Sequence, residues 1–396
     1  MRVAIVGPFA FWPKATVSRR AFPLAKSLAQ RGHEVALFLA PFDDPAQSGK
    51  TVWIQGLPVV NVPTGPDSTL SRLVVPARLA LTVACWRPDV VHTFKAAGYA
   101  AAAGLYLRLI GRFPWVLDAD DLEGSGGWAD VNGYGPLTTR LVDLQERRLS
   151  RLAGAATAAS RFLGAQLVRW GVKADRVFYL PNGPLTVEAE QAAPDPAGAR
   201  RRLGLGPGPV LIFVGYIGRR GELELALKAL ARIPPGKAPP LLLVVGDGPG
   251  LGPARQLADT LSLSGRVRWV GRVPPEDLRF YLAAADVALY PCRDDPIGRA
   301  KCAMKLVEYM AAGKAVVAGR VGQNLEYIVD GESGRLVDCE DPEDFARAIA
   351  ELIADPGLRA RLGAAARRRI FEEFGWDKLV GIAEEAYRTV VGGWAG

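Results

Sequence analysis

Apolar and polar positions along the first half of the chain alternate between strand-like and helix-like patterns. Short apolar runs at residues 3–7 (VAIVG), 33–40 (HEVALFLA), 88–94 (PDVVHTF) and 115–120 (WVLDAD) are typical of buried strands. Helical patterns lie between them. The first covers residues 19–32, where Ser18 is predicted to cap the helix and Pro23 to sit in its first turns. This alternation predicts a parallel, doubly wound sheet.

The pattern stops at residues 183–209, which are rich in Pro, Gly and Ala, and then starts again. We interpret this stretch as an interdomain connection. The fold class is therefore predicted to be α/β, with two Rossmann-like domains in tandem, residues 1–184 and 185–375. New strand patterns follow the connection at residues 210–218, 241–250, 267–271, 287–291 and 315–319.

A last amphipathic pattern, from about residue 374 onward, lies beyond the second alternation. We expect it to form a helix that packs back on the first domain, and we assign residues 376–396 to that domain.

Composition narrows the class of protein. The chain has 396 residues, is 49% hydrophobic and 23% charged, and has a mean hydropathy of +0.10, as expected for a folded protein with more than one core. The net charge of +8 suggests an anionic partner, which is a phosphate-bearing substrate, an anionic membrane surface or nucleic acid. There is no basic run and no recognisable nucleic-acid-binding module, so nucleic acid is the weakest of the three.

The four cysteines are scattered and there are only two histidines, so neither a disulfide framework nor a His-rich metal centre is expected. The amino-terminal segment shows no signal-peptide core, and no apolar run reaches the ~18 residues of a spanning helix. We therefore expect a cytoplasmic protein.

Positive charge gathers where a predicted helix begins, after the strand at 287–291. Arg299, Lys301 and Lys305 surround this helix start, although cations oppose the helix dipole there. A bound phosphate between them would explain the arrangement, because the first N–H groups of a helix also bind anions. Glu308 shares a face with Lys305 and either pairs with it, on an ordinary solvated surface, or accepts hydrogen bonds from a ribose diol. The residues that offer N–H groups are Met304, Lys305 and Leu306.

A second basic turn, residues 213–223 (FVGYIGRRGEL), also joins a strand to a helix. Glycines such as Gly215 let a ligand approach the backbone, and Arg219 and Arg220 are suited to bidentate phosphate contacts. Both turns are predicted at the carboxyl ends of strands in one sheet, where open α/β sheets bind ligands.

In these motifs the chain resembles the retaining glycosyltransferases of family 4, which have the GT-B fold. Segments in family order carry the resemblance over nearly the whole chain, including RGHEV at 31–35, LPNGP at 180–184, LLLVVGDGPG at 241–250 and KLVEYMAAGKAVVAG at 305–319. The resemblance implies two Rossmann-like domains facing a central cleft. It also implies transfer of a hexose-type sugar from a nucleotide-diphosphate donor to an acceptor hydroxyl.

The resemblance implies roles for individual residues. Glu308 matches the second glutamate of the family's paired motif and would hold the donor ribose. Arg219 or Arg220, with Lys305, would bind the diphosphate, and Arg272 and Val273 would flank the base. The donor site implied in this way comprises Gly215, Arg219, Arg220, Arg272, Val273, Arg299, Lys301, Met304, Lys305, Leu306 and Glu308.

The chain departs from the family at two places. The first glutamate of the paired motif is replaced by Ala300, which leaves the contacts to the donor sugar open. In the basic turn, Tyr216 stands where the family has an arginine, and Arg220 stands where it has a lysine, so Arg220 is preferred to Arg219 as the phosphate clamp.

The motif Asp118-Ala119-Asp120 raises the possibility of a metal site, because paired aspartates bind a divalent cation in the other large glycosyltransferase fold. The basic donor domain already supplies positive charge, so we expect no metal. The resemblance places Asp120 near the strand end where many relatives carry a histidine, and it implies an acceptor-side role in which Asp120 orients the acceptor hydroxyl. An alternative is that these aspartates cap the following turn. His92 is expected to be a buried, hydrogen-bonded histidine and His33 to be structural.

The resemblance implies that Gly7 and the loop through Pro13 and Lys14 face the cleft between donor and acceptor, so the predicted acceptor side comprises Gly7, Pro13, Lys14 and Asp120. The predicted catalytic residues are Arg220, Lys305 and Asp120. Apolar helix faces in the first domain are rimmed with arginine, which is either ordinary packing or a surface for an anionic membrane. The second interpretation implies a lipid-linked acceptor and a peripheral location on the inner face of the plasma membrane. The arginines are Arg72, Arg78, Arg87, Arg108 and Arg112.

No cofactor or metal is expected beyond the nucleotide-sugar donor substrate, and no nucleic acid is expected as a partner. Two other functions remain open at this stage. The protein could bind a nucleotide sugar without catalysis, or it could be a nucleotide-sugar epimerase.

Overall fold

The structure is a computed structural model that describes residues 1–12, 14, 16–65, 71–111, 113–185, 194–236 and 238–392. The chain divides into two compact units. The first comprises Met1–Gly183, Arg299–Cys302 and Gly375–Gly396, and the second comprises Pro184–Gly298 and Ala303–Phe374.

The first unit is built on an eight-stranded sheet of order β3-β4-β2-β1-β5-β6-β7-β8. All neighbouring strands are parallel except β3 and β4, which form an antiparallel hairpin at one edge. The central strands are buried on both faces, which explains their continuous apolar sequences. The strands are β1 (Arg2–Gly7), β2 (Glu34–Leu39), β3 (Thr51–Ile54), β4 (Leu57–Asn61), β5 (Val90–Phe94), β6 (Trp115–Ala119), β7 (Ala155–Ala158) and β8 (Val177–Tyr179).

Helices cover both faces of this sheet, as a doubly wound fold requires. One face packs on α1 and on the carboxyl-terminal helix, and the other packs on α2 and α3. The helices before the second unit are α1 (Phe22–Gln30), α2 (Ser71–Trp86), α3 (Tyr99–Gly111), α4 (Trp128–Val131), α5 (Pro136–Leu152) and α6 (Arg161–Arg169).

The second unit contains a six-stranded sheet of order β11-β10-β9-β12-β13-β14, in which all the paired strands are parallel. Its strands are β9 (Val210–Val214), β10 (Leu241–Val245), β11 (Val267–Gly271), β12 (Val287–Tyr290), β13 (Ala315–Gly319) and β14 (Arg335–Val337). Its apolar core includes Leu227, Leu242, Leu289 and Ile349.

The remaining helices lie between or after these strands along the chain. They are α7 (Pro196–Arg202), α8 (Glu222–Arg232), α9 (Leu251–Thr260), α10 (Pro275–Ala284), α11 (Pro296–Ala300), α12 (Met304–Ala311), α13 (Asn324–Tyr327), α14 (Pro342–Ala354), α15 (Pro356–Phe374) and α16 (Trp376–Gly392).

Helix α16 (Trp376–Gly392) confirms the predicted return of the chain to the first domain. Its apolar face, which includes Leu379, Ala383 and Tyr387, is buried in the core formed by β1 and α1. The fold prediction, α/β with two parallel-sheet domains and a returning helix, is therefore confirmed.

Three details differ from the sequence-based expectation. Ser18 does not cap an α-helix; it lies in a π-helical turn, Thr16–Ala21, and its Oγ donates to the carbonyl of Lys14 at 3.4 Å. The connection predicted at 183–209 contains a helix, α7. Residues Arg299–Cys302 were expected in the second domain but belong to the first unit, where Ser160 Oγ donates to the carbonyl oxygen of Ala300 at 2.7 Å.

Among the described residues, no helix combines the length and the apolar character that crossing a membrane requires.

Candidate active site

The predicted phosphate-binding helix of the second unit is α12, which begins at Met304 as expected. Its first turn carries no acidic residue, and Ala303 at the N-cap offers no side-chain acceptor for the first N–H groups. Lys305 Nζ donates to Glu308 Oε2 at 2.7 Å. Glu308 is only 4% exposed, so this i,i+3 pair is not part of an ordinary solvated surface.

Tyr309 fixes α12 to the neighbouring strand. Its buried hydroxyl accepts a hydrogen bond at 2.6 Å from the N–H group of Val214, which is the last residue of β9. Burial raises the pKa of Tyr309 above its usual value, so the phenol stays protonated. The second turn of α12 and the end of β9 are thus held together at the carboxyl edge of the sheet.

Two glycine-rich loops lie against each other at the same edge. A Cβ built on Gly246, Gly248 or Gly250 would lie 1.8 to 2.4 Å from a carbonyl oxygen in the loop that follows β9. By contrast, a Cβ on Gly215 would meet nothing closer than 3.9 Å. Close packing therefore requires glycine in the loop after β10 and not at Gly215. The loop after β10 packs directly against the backbone of the predicted donor loop.

Arg220, the preferred phosphate clamp, already faces carboxylates. Its Nη2 lies 2.8 Å from both oxygens of Asp295, and its Nη1 lies 3.5 Å from Glu222 Oε1. Arg293 donates to the Arg220 carbonyl at 2.7 Å. The Arg220 guanidinium is therefore positioned by the protein itself, whereas the neighbouring Arg219 is exposed.

The other predicted donor residues are placed as follows. Arg272 is exposed and Val273 is half-buried just after β11, while Met304 is half-buried and Leu306 is buried on α12. Arg299 is exposed and Lys301 half-buried; both belong to the first unit, while Lys305 and Glu308 belong to the second.

In the first unit, Asp118 lies inside β6 and is fully buried. The Arg20 guanidinium meets it with two hydrogen bonds, from Nε at 2.8 Å and from Nη2 at 2.6 Å, and Thr157 Oγ1 donates to it at 2.6 Å. Despite the opposing effect of burial, Asp118 keeps the pKa of Arg20 above its ordinary value. Asp118 is thus committed to an internal ion pair, and neither the metal-ligand nor the turn-capping interpretation applies to it.

Asp120 has different partners. Its Oδ1 lies 3.2 Å from Lys95 Nζ, and its Oδ2 accepts from Thr16 Oγ1 at 3.3 Å. Lys95 also contacts Asp121 Oδ2 at 3.2 Å and Glu123 Oε1 at 2.5 Å. The predicted acceptor-side aspartate therefore belongs to a cluster of three carboxylates around one lysine.

Glu146 on α5 binds the backbone of the loop that follows Asp120. Its two oxygens accept from the N–H groups of Glu123 and Gly124 at 2.9 and 3.1 Å. Burial, with the Glu123 charge nearby, raises the pKa of Glu146 to about 7 in spite of these hydrogen bonds.

The remaining acceptor-side residues lie near β1. Lys14 Nζ lies 3.9 Å from the ring centroid of Phe9 and 5.2 Å from that of Phe42, and burial lowers the pKa of Lys14. Gly7 ends β1, where a Cβ would lie 2.7 Å from the Leu39 side chain. Pro13 lies outside the described residues.

Both histidines are placed as expected. His92 is fully buried, with Nδ1 2.8 Å from the Tyr387 hydroxyl and Nε2 3.1 Å from Thr157 Oγ1, and burial lowers the pKa of His92 to about 3. His33 lies 3.1 Å from Glu384 on α16.

Comparison with known proteins decides the family. Residues 16–183 match the model of the glycosyl transferase 4-like domain, and residues 199–369 match that of glycosyl transferases group 1. The chain is 32% identical over 390 residues to D-inositol 3-phosphate glycosyltransferase of Acidothermus cellulolyticus, covering 90% of this chain and 82% of the relative. The chain belongs to the GT-B glycosyltransferases of family 4.

A second relative of this glycosyltransferase is the GDP-mannose-dependent alpha-(1-6)-phosphatidylinositol monomannoside mannosyltransferase of Mycolicibacterium smegmatis. It is 31% identical over 235 residues, which cover 58% of this chain and 61% of that relative.

Two solved structures share the fold of this glycosyltransferase. Sucrose-phosphate synthase from Thermosynechococcus elongatus has a TM-score of 0.77 at 22% identity and covers 99% of each chain. Anabaena HepE in complex with UDP and glucose has a TM-score of 0.75 at 20% identity, covering 97% of this chain and 98% of the other.

The sequence did not reveal several charged residues around the predicted sites. Lys95 contacts Asp120, Glu146 binds the loop after Asp120, and Asp295 contacts Arg220. Arg20 contacts Asp118, the other aspartate of the motif. The partners in these contacts are 23 to 98 positions apart along the chain, so the sequence does not show which residues pair.

Proposed function

We propose that this glycosyltransferase moves a hexose-type sugar from a nucleotide-diphosphate donor to an acceptor hydroxyl, with retention at the anomeric carbon and without a metal. The observation that carries the proposal is the buried Glu308, paired with Lys305 on the open first turn of α12. This turn lies at the carboxyl edge of a parallel sheet, where such folds bind nucleotides.

The chemistry assigned to this edge is charge stabilisation. As the bond between the sugar carbon and the diphosphate breaks, negative charge grows on the leaving phosphate. Lys305 and the first N–H groups of α12 offset this charge, and Glu308 holds the ribose. The acceptor oxygen attacks from the face that the diphosphate leaves, and its proton passes to a phosphate oxygen.

Arg220 is assigned a prepositioned role in this scheme. Asp295 and Glu222 hold its guanidinium in a fixed orientation at the end of the donor loop. A diphosphate competes with these carboxylates for the same cation, so donor binding is expected to loosen the Arg220–Asp295 pair.

The names of similar proteins support a nucleotide-sugar donor. One relative is described as GDP-mannose-dependent, and one solved neighbour contains UDP and glucose. These names differ in base and sugar, so the donor has to be found by experiment.

The proposal is tested by nucleoside-diphosphate release from a panel of UDP-, GDP- and ADP-sugars, with and without EDTA and a bacterial lipid extract. Release from one donor that needs an acceptor and is unchanged by EDTA supports the proposal. Release abolished by EDTA contradicts metal independence. Nucleotide binding without release supports a non-catalytic protein, and an altered donor sugar without acceptor supports an epimerase.

We further propose that the acceptor is presented at an anionic membrane surface. The predicted basic faces lie on α2 and α3, and the structure adds α5, which packs against α3. Along α5, Leu137, Leu141 and Leu144 are 81%, 52% and 51% exposed. Their spacing forms an apolar stripe, and exposed arginines, Arg140, Arg147 and Arg148, lie on the same helix. Arg112 and the side chain of Arg72 lie outside the part of the chain that the structure describes.

Flotation with vesicles that contain phosphatidylglycerol tests the surface. Leu141→Glu is expected to reduce vesicle binding, because it places a carboxylate in the apolar stripe. Leu325→Glu is a matched control in the second unit, where Leu325 is 50% exposed. Equal vesicle binding by both variants would contradict the proposed membrane surface. Binding that is the same with neutral vesicles would contradict it too.

A further inference from the structure

Lys95 adopts a backbone conformation that is unusual for a residue with a side chain. It follows the last residue of β5 and has φ = +75°, in the left-handed region that favours glycine. Such strain persists only where the surroundings enforce it, and it is concentrated at functional sites. We therefore expect the contacts of the Lys95 side chain to stabilise this strained backbone.

The side chain of Lys95 is buried and ends among three half-buried carboxylates. The residue is 9% exposed, and its Nζ lies 2.5 to 3.2 Å from carboxylate oxygens of Asp120, Asp121 and Glu123. Burial alone would lower the pKa of Lys95, but the three carboxylates raise it well above its ordinary value. The lysine is thus charged, and it is the common partner of all three acids.

The geometry of the carboxylates is that of a cation site. One oxygen from each of Asp120, Asp121 and Glu123 lies within 4.8 Å of the others. Divalent cations bind oxygen ligands at about 2.0–2.6 Å, so oxygens this close can share one ion. In this protein the ammonium group of Lys95 occupies that central position.

Supporting contacts hold the cluster in place. Thr16 donates to the second oxygen of Asp120, and Glu146 accepts the N–H groups of Glu123 and Gly124. Without a central cation, like charges at this distance would push the loop apart. The Lys95 ammonium therefore determines where the Asp120 carboxylate lies.

We propose that Lys95 is a positioning residue whose ammonium group is the built-in counter-cation of Asp120, Asp121 and Glu123, so that it fixes the Asp120 carboxylate for the acceptor hydroxyl. The part that concerns the acceptor rests on the proposed function; the part that concerns the cation does not.

The variant Lys95→Gly removes the ammonium and relaxes the backbone at the same time, because glycine tolerates positive φ. Arg87→Gly is its matched control: Arg87 is an exposed cation with φ = +53° before the other end of β5. Lys95→Met keeps the bulk of the side chain without its charge, in case the glycine variant does not fold.

The direct test is Mn²⁺ binding, followed by the loss of the free-ion electron paramagnetic resonance signal. Lys95→Gly or Lys95→Met is expected to bind Mn²⁺, while the wild type and Arg87→Gly do not. Adding Asp120→Asn to the Lys95 variant is expected to weaken that binding. Folded Lys95 variants that bind no more Mn²⁺ than the wild type would overturn the inference.

A second readout concerns turnover with the donor found in the release panel. Lys95→Gly is expected to lower kcat while the KM for the donor changes little. Methylammonium or Mn²⁺ is expected to restore part of this kcat, and neither cation is expected to raise the turnover of Arg87→Gly, whatever its basal value. Mn²⁺ binding without any change in turnover would keep the cation site and overturn its positioning role. An inactive wild type would count against the proposed function alone.

Discussion

Asp118 and Asp120 belong to one short motif but act in different environments. Asp118 is buried against Arg20 and Thr157, whereas Asp120 contacts Lys95 and Thr16. Among the described residues, the carboxylates close enough to share a cation are those of Asp120, Asp121 and Glu123, and Asp118 is not one of them. The first member of the motif holds the sheet and the π-helical turn together, and the second belongs to the Lys95 cluster.

Replacing Asp118 by Asn is expected to lower the free energy of unfolding by about 3–5 kcal/mol, because it leaves the buried Arg20 charge without its counter-ion. Glu34→Gln makes the same chemical change in the Arg2–Glu34 pair, where Glu34 is 59% exposed, and should cost at most about 1 kcal/mol. Urea unfolding measures both variants. Equal effects would contradict the structural role of the Arg20–Asp118 pair.

Glu146 gives the protein a pH-dependent stability. Its pKa is about 7 in the folded protein, against an ordinary value of 4.5, so the folded state retains a proton that the unfolded state loses between these values. Its contribution to stability therefore falls as the pH rises through this window. His92 acts in the opposite direction, because its pKa of about 3 means that the unfolded state takes up the proton first on acidification below about 6.5.

Comparing wild type with Glu146→Gln at each pH cancels the His92 contribution. From pH 5 to pH 7, the wild type is expected to lose about 2 kcal/mol relative to the variant, since one pKa unit corresponds to about 1.4 kcal/mol. Urea unfolding at both pH values measures the difference. A difference that stays constant or grows with pH in favour of the wild type would refute the assignment.

At the residue scale, local pairs were predictable and distant ones were not. The Lys305–Glu308 pair follows from helical spacing, and the structure shows it. Arg20 and Asp118 are 98 positions apart, so only the fold brings them together. Lys95 was missed because a lysine after a strand normally points to solvent.

At the scale of elements, continuous apolar runs correctly predicted the central strands β1, β5 and β9, because these are buried on both faces. The edge hairpin of β3 and β4 was missed, since its residues are partly exposed and the apolar signal is weak. The π-helical turn at Thr16–Ala21 was missed too, because no sequence rule separates it from the start of an α-helix.

The loop after β10 offers a test at this scale. Gly248 has φ = +151°, and a Cβ there would lie 2.4 Å from the Ile217 carbonyl oxygen. Gly248→Ala is expected to destabilise the protein by about 1–3 kcal/mol and to weaken donor binding, because the donor loop must shift.

Gly252→Ala is the matched control, four residues further along the chain. It lies in helix α9, where a Cβ would meet nothing within 4 Å, so alanine is expected to stabilise by about 0.5–1 kcal/mol. Thermal unfolding and nucleotide titration of both variants check the pair. A Gly248→Ala protein as stable as the control would show that the loops are not packed as described.

For the whole molecule, sequence pattern was enough to predict two parallel-sheet units and a returning helix, because each unit repeats the strand–helix alternation around its own core. The net charge of +8 predicts an anionic ligand but does not indicate where it would bind. The location depends on where buried charges lie, and that requires the packed structure.

The most direct test of the central claim compares Glu308→Ala with Glu332→Ala in nucleoside-diphosphate release from the preferred donor. Glu308 is buried one turn into α12 and pairs with Lys305 of the open first turn, while Glu332 is exposed in the same unit. Loss of a hydrogen bond to a charged group costs about 1.5–3 kcal/mol, so Glu308→Ala should lower kcat/KM roughly 10- to 100-fold. Glu332→Ala should leave it unchanged. Near-wild-type turnover in a folded Glu308→Ala protein would contradict the account.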